Sequence, residues 1–549
     1  AQEETMQHRL FTYYTYDTTG LVEIDEEPPA PLNREALDIV LTIAKMFDMT
    51  PLPEIHTMRK MIVDGSATSG FQRTALVALN GKIADTCRIE TVAVEEEACQ
   101  RVKDTIFSVD RLGIPLIEIT TAPCMKTPEE VHDVAQYIGM TLRSTGRVKR
   151  GLGTIRQDVN VSIADGARVE IKGVQELDLI AEVVRREVQR QLSLLAIRDE
   201  LIARNALVNG EVYDVTKVFA ETQSNVLKKA KCILGTVLHG FAGLVGTEIQ
   251  PGRRLGSEMS DYAKKCGVGG LFHTDELPAY GVTAEEVHIL KETLGAGEQD
   301  AVIIVAATEQ KCRCAMQMII RRAKMAFDGV PEETRKMLEG GSTAYMRPLP
   351  GAARMYPETD VLPVPVTAEH FAEIEMPELL TDKVKRFATE YGMDDGMARQ
   401  MAYSEQLPLF ERAVAEGIRP VFAARTILAS LKEASRAEGA GVISDDAVIG
   451  VMKAVEAGNA AKEAVLDILS ACAKGLNVKD AIAKVAPAFS REELQELVRG
   501  IVSERVDFIK SRGKAALGPV MGVVMKEVRG RIDGKVVSEV LNDELNRIM

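Results

Sequence analysis

The spacing of apolar residues changes once along this chain of 549 residues, and that change constrains the architecture more than any single motif. Up to about Lys172, short runs rich in β-branched residues alternate with turns, as strands do. From Met376 onward, Leu, Val, Ile and Ala recur at i, i+3 and i+4, the spacing of amphipathic helices. A sheet-bearing front and a helical back are expected, divided among several domains because one core rarely serves a chain this long.

Within the front, strands are expected at 20–24, 88–94, 116–120, 155–163 and 168–172, in a mixed or antiparallel sheet. Helices are expected over 34–47, over 128–144, and from Leu177 to about Asn205. Thr127 offers the second of these an N-cap, and Glu129 and Glu130 suit the positive end of its dipole. Between Gly240 and Gly341 come Gly-rich turns, one wholly apolar strand (Ala301 to Ala307) and a long helix ending at Asp328 before Gly329. That stretch reads as an inserted α+β unit. The helical remainder divides near Gly439-Ala440-Gly441.

The net charge of -14 excludes a polycationic coat for nucleic acid, so contact with RNA needs local basic patches. Two exist. Arg143, Arg147, Lys149, Arg150 and Arg156 fall in a stretch without acids, and Lys510, Arg512, Lys514, Lys526, Arg529, Arg531 and Lys535 meet only Glu527 and Asp533. Backbone phosphate is the natural partner of both; a solvated basic face is the competing reading, since no stacking aromatics interleave them. The longest apolar run, Ala301 to Ala307, is far shorter than a bilayer span, and the opening residues hold no apolar signal core, so a cytoplasmic protein is expected. Of eight cysteines only Cys312 and Cys314 are close in sequence, which predicts reduced thiols rather than a disulfide framework or a zinc site.

P-loop, dinucleotide-binding, zincin, nucleophile-elbow and EF-hand spacings are absent. What remains is carboxylates and polar loops. Glu95-Glu96-Glu97 and the lone acid Glu118 in Leu116-Ile-Glu-Ile-Thr120 offer hard oxygen ligands of the kind Mg²⁺ takes beside substrate phosphates, with a structural salt bridge as the alternative. Lys60 and the run Asp64-Gly-Ser-Ala-Thr-Ser-Gly-Phe-Gln72-Arg73-Thr74 combine close backbone approach with cationic donors for an anion; an ordinary hydroxyl-rich turn competes. Arg156, Asp158, Asn160, Glu170 and Lys172 project polar groups from alternating strands, either as a ligand platform or as a half-exposed sheet face.

Three ordered motifs, Arg111 to Ile119, Gly153 to Asn160 and Val169 to Glu176, resemble the B/E family of tRNA-dependent amidotransferases. The forms DGSATSGFQRT (Asp64 to Thr74), RSTGRVKRGLGTIRQDVN (Arg143 to Asn160) and RPLPGAARMYPETD (Arg347 to Asp360) resemble its archaeal, E-type branch more closely than the bacterial B-type branch. RLGSEMSDYA (Arg254 to Ala263), FHTDELPAYG (Phe272 to Gly281) and GVPEETR (Gly329 to Arg335) resemble the domain this branch shares with aspartyl-tRNA synthetases, and Lys510 to Lys526 resembles a YqeY-like tail.

The resemblance implies an α+β multidomain chain. A β-sheet cradle would occupy 1–225 and 341–374 around an inserted aspartyl-tRNA-synthetase-like domain at 226–340, with a helical domain at 375–442 and a YqeY-like tail at 443–549. It implies an ATP- and Mg²⁺-dependent ligase subunit that phosphorylates the glutamate side chain of misacylated Glu-tRNA(Gln), after which ammonia displaces phosphate. An asparaginase-like glutaminase partner would supply the ammonia, in a heterodimer or heterotetramer. By motif, Glu96 and Glu118 would hold the metal, Lys60, Ser66 and Arg73 the nucleotide, and Lys60, Gln72, Arg73, Arg156, Asp158, Asn160, Glu170, Lys172 and Glu358 would line the cradle. Lys510, Arg512, Lys514, Lys526, Arg529 and Arg531 would meet tRNA. The family opens with a GLExH-type strand whose histidine completes the metal site; this chain begins at Ala1, none of its seven histidines lies in such a motif, and a truncated form is expected. The alternative function is a non-catalytic tRNA-binding remnant. An aspartyl-tRNA synthetase relative would share the insertion alone.

Overall fold

The structure, a computed structural model, describes residues 10–14, 26–60, 72–83, 87–97, 100–103, 105–109, 113–151, 153–349, 355–485, 491–528, 532 and 534–548, without the side chains of Lys60, Gln100 and Lys514. The expected strand at 20–24, Ser66, Arg529 and Arg531 lie outside the described residues. Two compact units result, residues 1–377 and 378–549.

The first unit carries an antiparallel sheet of β1 (Thr57–Lys60), β2 (Gln72–Ile83), β3 (Cys87–Glu96) and β4 (Pro115–Thr121), in that order. Met355–Pro357 extends it beside β1, and Thr50–Pro51 pairs with β2. Alternation along the strands points Ala75, Val77, Val92, Val94, Ile117 and Ile119 to one side, where they meet Leu37, Val40, Leu41 and Ile43 of α1 (Arg34–Met46). Asn33 caps α1, its Oδ1 accepting from the Ala36 N–H at 2.9 Å. The expected N-cap of α2 (Pro128–Ser144) is present as a full capping box between Thr127 and Glu130.

A second sheet runs β5 (Val159–Val161), β6 (Val169–Lys172), then, after the intervening β7 (Cys232–Leu238) and β8 (Ala301–Ala307), β9 (Glu333–Met337) and β10 (Thr343–Pro348). β6 and β9 are parallel and the other pairs antiparallel, so this sheet is mixed, and with its helices the unit is mixed α/β. The strand expected over 155–163 is confined to β5, leaving Arg156 and Asp158 on the approach to the ladder. β9 falls inside the stretch expected to be an insertion, yet it pairs with β6 before that stretch and β10 after it. Antiparallel β7 and β8 form a third sheet with Tyr213–Asp214 and Phe272–His273.

Beneath the second sheet the chain buries six charges. Glu187 and Arg190 come from α3 (Ile180–Ala203), Glu258 from α4 (Leu255–Lys264), Arg322 from α5 (Glu309–Met325), and Glu333 and Arg335 from β9. All are fully buried. Arg190 donates to Glu187 at 2.8 Å and Glu333 at 2.9 Å and takes both oxygens of Glu258; Arg322 reaches Glu258 at 2.6 Å, and Arg335 reaches Glu258 at 2.9 Å and also pairs with Glu333. Three arginines balance three glutamates, which is how charges survive removal from water.

The cysteines correct the expectation of reduced thiols. Cys87 is bonded to Cys124 and Cys266 to Cys314, with Cα atoms 5.5 and 5.8 Å apart. These partners are 37 and 48 residues apart in sequence, so tertiary folding juxtaposes them and local spacing carries no sign of it.

The second unit is helical among its described residues. Helices between Leu380 and Ala473 bury Phe387, Met401, Phe410, Val448 and Leu469, and Gly441 N–H donates to the Ala473 carbonyl at 2.8 Å, tying the glycine pair to a helix that follows it. A separate core of Leu494, Val498, Val502, Ile509, Val524, Leu541 and Leu545 holds α6 (Arg491–Ser503), α7 (Val506–Arg512), α8 (Leu517–Val528) and α9 (Gly534–Ile548). Among the described residues no helix is long and apolar enough to cross a membrane.

Candidate active site

Register decides which of the front sheet's polar residues share a surface. Ala75, Val94 and Ile117 lie in one row on the core side; Met58, Thr74, Glu95 and Leu116 form the next row on the opposite, open side. Glu118, paired with Ala93, shares that open side and is exposed. Glu95 and Glu118 are therefore diagonal neighbours on adjacent strands, within reach of one another's side chains. Gln72 lies on the same side, opposite Lys60 in the ladder.

Arg73 and Glu96 point the other way. The Arg73 guanidinium donates through Nε to Glu96 Oε2 at 2.7 Å and through Nη2 to Oε1 at 2.6 Å, and its Nη1 reaches the Ala30 carbonyl at 2.5 Å. Both carboxylate oxygens of Glu96 are thus engaged, and Glu96 is on the face away from Glu118. Arg59, next along this side, donates to buried Glu358 at 2.8 Å. A cavity of about 500 Å³ opens beside that pair, lined by Glu26, Glu27, Pro28, Tyr356 and Asp360.

The second sheet gathers the remaining candidates. Its register runs Asn160, Glu170, Thr334, Arg347 straight across four strands. Glu170 receives a hydrogen bond from the Thr334 hydroxyl at 2.9 Å on Oε2 and the Lys172 ammonium at 2.9 Å on Oε1. Lys172 also donates to Asp158 at 2.5 Å. Burial pushes the Glu170 carboxyl up, but the hydrogen bond and charge of Lys172, then Thr334 and Arg347, outweigh it and leave it below the usual range. Burial likewise pushes Lys172 down, and its two carboxylate partners more than reverse that, so it is a fixed cation near neutrality. Arg156 reaches from the approach to this sheet toward buried Glu97, at 3.5 Å.

In the tail, Lys510, Arg512 and Lys526 are exposed, and the Arg512 guanidinium lies 5.2 Å from the centre of the Phe508 ring. Phe508 supplies the aromatic neighbour that the spacing of the basic residues does not suggest.

Among the described residues no three His, Cys, Asp or Glu side chains gather in a metal-binding group. Glu95 and Glu118 nevertheless present the one or two carboxylates that Mg²⁺ takes beside phosphates. Strand alternation is the available signal for Glu95: the residue on the open face beside Glu118 is the first glutamate of the triplet. Thr334 and Arg347 are invisible in the sequence as partners of Glu170, because they reach it through a parallel pairing with a strand far along the chain.

The family model described as the GatB/GatE catalytic domain matches residues 15–372, and one described as GatB domain matches residues 408–545. The chain is 64% identical over 529 residues to the E subunit of glutamyl-tRNA(Gln) amidotransferase from Methanospirillum hungatei, covering 96% of this chain and 86% of that protein. It is 52% identical to the protein of that name from Methanosarcina barkeri over 96% of this chain and 86% of the relative, and 47% identical to that from Methanocaldococcus jannaschii over 95% and 86%.

Proposed function

Because the chain belongs to the GatB/GatE family, we propose that it is the kinase and transamidase subunit of a tRNA-dependent amidotransferase, converting glutamate esterified to tRNA(Gln) into glutamine. A side-chain carboxylate is a poor electrophile. Phosphorylation by ATP gives it a leaving group, and ammonia then attacks the acyl carbon and expels phosphate. The reaction asks the protein to position an anion-rich assembly and to hold charge fixed, more than to supply a nucleophile.

Glu95 and Glu118 on one open face are the observation that carries this reading. They would hold Mg²⁺, which when bound neutralises phosphate charge; Glu96, committed to Arg73, keeps the sheet end in place. Gln72 lies on that face, opposite Lys60 in the ladder, and these two together with Ser66, which lies between them in sequence, would meet the nucleotide or the glutamyl group. Lys172, held cationic between Asp158 and Glu170, supplies a charge that does not titrate near neutrality, and Asn160 and Arg156 extend the polar surface. The stretch 226–340 up to β9, whose pairing makes it part of the second sheet, would be the inserted aspartyl-tRNA-synthetase-like domain, and the basic helices of the tail would grip tRNA phosphates. Ammonia would come from an asparaginase-like glutaminase partner in a cytoplasmic heteromer.

The test supplies the purified chain with Glu-tRNA(Gln), [γ-³²P]ATP, Mg²⁺ and concentrated ammonium chloride, which bypasses the glutaminase. Glutaminyl-tRNA appearing together with phosphate is the expected result. Retained tRNA binding with neither product would favour the non-catalytic alternative.

A further inference from the structure

We propose that Thr334 is a positioning residue of the amidation site: its hydroxyl fixes the Glu170 carboxylate and, through it, the Lys172 ammonium. The inference rests on the reading that the polar face of the second sheet belongs to that site.

Thr334 is fully buried, and its hydroxyl donates to Glu170 Oε2 at 2.9 Å. Its neighbours on β9, Glu333 and Arg335, are both locked into the buried ionic hub, which faces the other side of the strand. Arg335 is bound again by the Thr343 hydroxyl at 2.7 Å and the Thr343 carbonyl at 3.0 Å, from the adjacent strand β10. β9 therefore cannot slide or rotate without tearing charges out of a dry network. From that braced strand the Thr334 hydroxyl hydrogen-bonds into the Asp158–Lys172–Glu170 chain of charges. With Oε2 held by Thr334, Oε1 is aimed at Lys172, whose ammonium is then shared with Asp158. Without that hydroxyl Glu170 can turn about its terminal torsion, and the cation loses its fixed address.

The groups facing Glu170 are Lys172 on its own strand, Asn160 and Asp158 from the β5 side, Thr334 and, two residues along the same face, Lys336 from β9, and Arg347 from β10. Removal of the Thr334 donor, one of the influences that lower the Glu170 pKa, must let that pKa rise. An activity limb that depends on ionised Glu170 then moves to higher pH.

Thr334→Val keeps shape and deletes the hydroxyl; Thr334→Ser keeps the hydroxyl. In the ammonium-dependent assay, Thr334→Val should lower kcat/KM by about tenfold to a hundredfold, the usual effect of a lost hydrogen bond to a charged group. Its acid limb should shift upward while the melting temperature falls by only a few degrees, the loss one hydrogen bond brings, and Thr334→Ser should restore rate, pH profile and melting temperature together. If Thr334→Val fails to fold, Thr334→Ala against Thr334→Ser makes the same comparison. A valine or alanine variant with wild-type rate and pH profile, while Glu170→Gln is impaired, overturns the positioning role. Wild-type activity in both Glu170→Gln and Lys172→Met overturns the underlying placement of the site as well, and is told apart by that pair.

Discussion

Arg73 and Glu96 close a two-pronged ion pair across β2 and β3, with N to O distances of 2.7 and 2.6 Å and both side chains about nine-tenths buried. A pair so enclosed is strongly destabilising to break from one side, because the abandoned charge has no water to turn to. Glu96→Gln should cost about 3–5 kcal/mol on that basis. Exposed Glu118, three residues along β4 from Pro115, the partner of Glu96, should tolerate Gln within about 0.5 kcal/mol. Urea unfolding of the two variants separates them; equal losses would mean that Glu118 also carries the fold.

The buried hub predicts a pH response. Burial alone would raise the Glu258 carboxyl, but Arg190, Arg335 and Arg322 hold it well below its ordinary value of 4.5. A carboxyl depressed in the folded state contributes stability in full above its unfolded pKa and loses it as pH falls toward the folded value. The first unit's unfolding midpoint in denaturant should thus hold steady around neutrality and fall once pH drops below 4.5. Arg190→Met, which strands Glu258 and its neighbours, should lower the midpoint already at neutral pH; a midpoint equal to wild type there would refute the load assigned to Arg190.

Local patterns suffice where they govern local structure. The 301–307 strand, the Thr127 cap and the helical back all follow from periodicity and capping chemistry acting over a few residues. Glu95 and Glu96 show where that reach ends: alternation puts them on opposite faces, but only the pairing of β3 with β4 says which one joins Glu118. The partners of Glu170 and of Cys87 depend on approaches between distant segments, for which a single sequence holds no local sign. Phe508 escapes a search for interleaved aromatics because it precedes the basic run, although one helical turn brings it under Arg512.

If Glu95 and Glu118 share the metal, either neutralisation should stop the ATP-dependent step and spare RNA binding. Glu95→Gln and Glu118→Gln should each abolish phosphate release from [γ-³²P]ATP in the presence of Glu-tRNA(Gln), with tRNA affinity within about twofold of wild type. Raising Mg²⁺ should recover part of the activity if one ligand remains. Full activity in Glu95→Gln with none in Glu96→Gln, at matched stability, would return the metal to Glu96 and refute the assignment by register.

The tail makes an electrostatic prediction. Lys510 and Arg512 are exposed at the end of α7 and Lys526 at the end of α8, on a chain whose net charge of -14 otherwise repels RNA. Each phosphate that a basic side chain neutralises releases condensed counterions, so binding weakens with salt in proportion to the number of phosphates held. Lys510→Glu with Arg512→Glu should weaken tRNA binding and flatten the plot of log Kd against log salt by about one unit for each phosphate no longer held. The pair lies on helical surface outside the buried tail core, so the melting temperature should stay near that of the wild type. Phe508→Ala should weaken binding with no change in slope, since stacking on a ring releases no counterions. An unaltered slope in the double charge reversal would remove the tail from the tRNA interface and leave the acid-free stretch from Arg143 to Arg156 as the basic surface to test next.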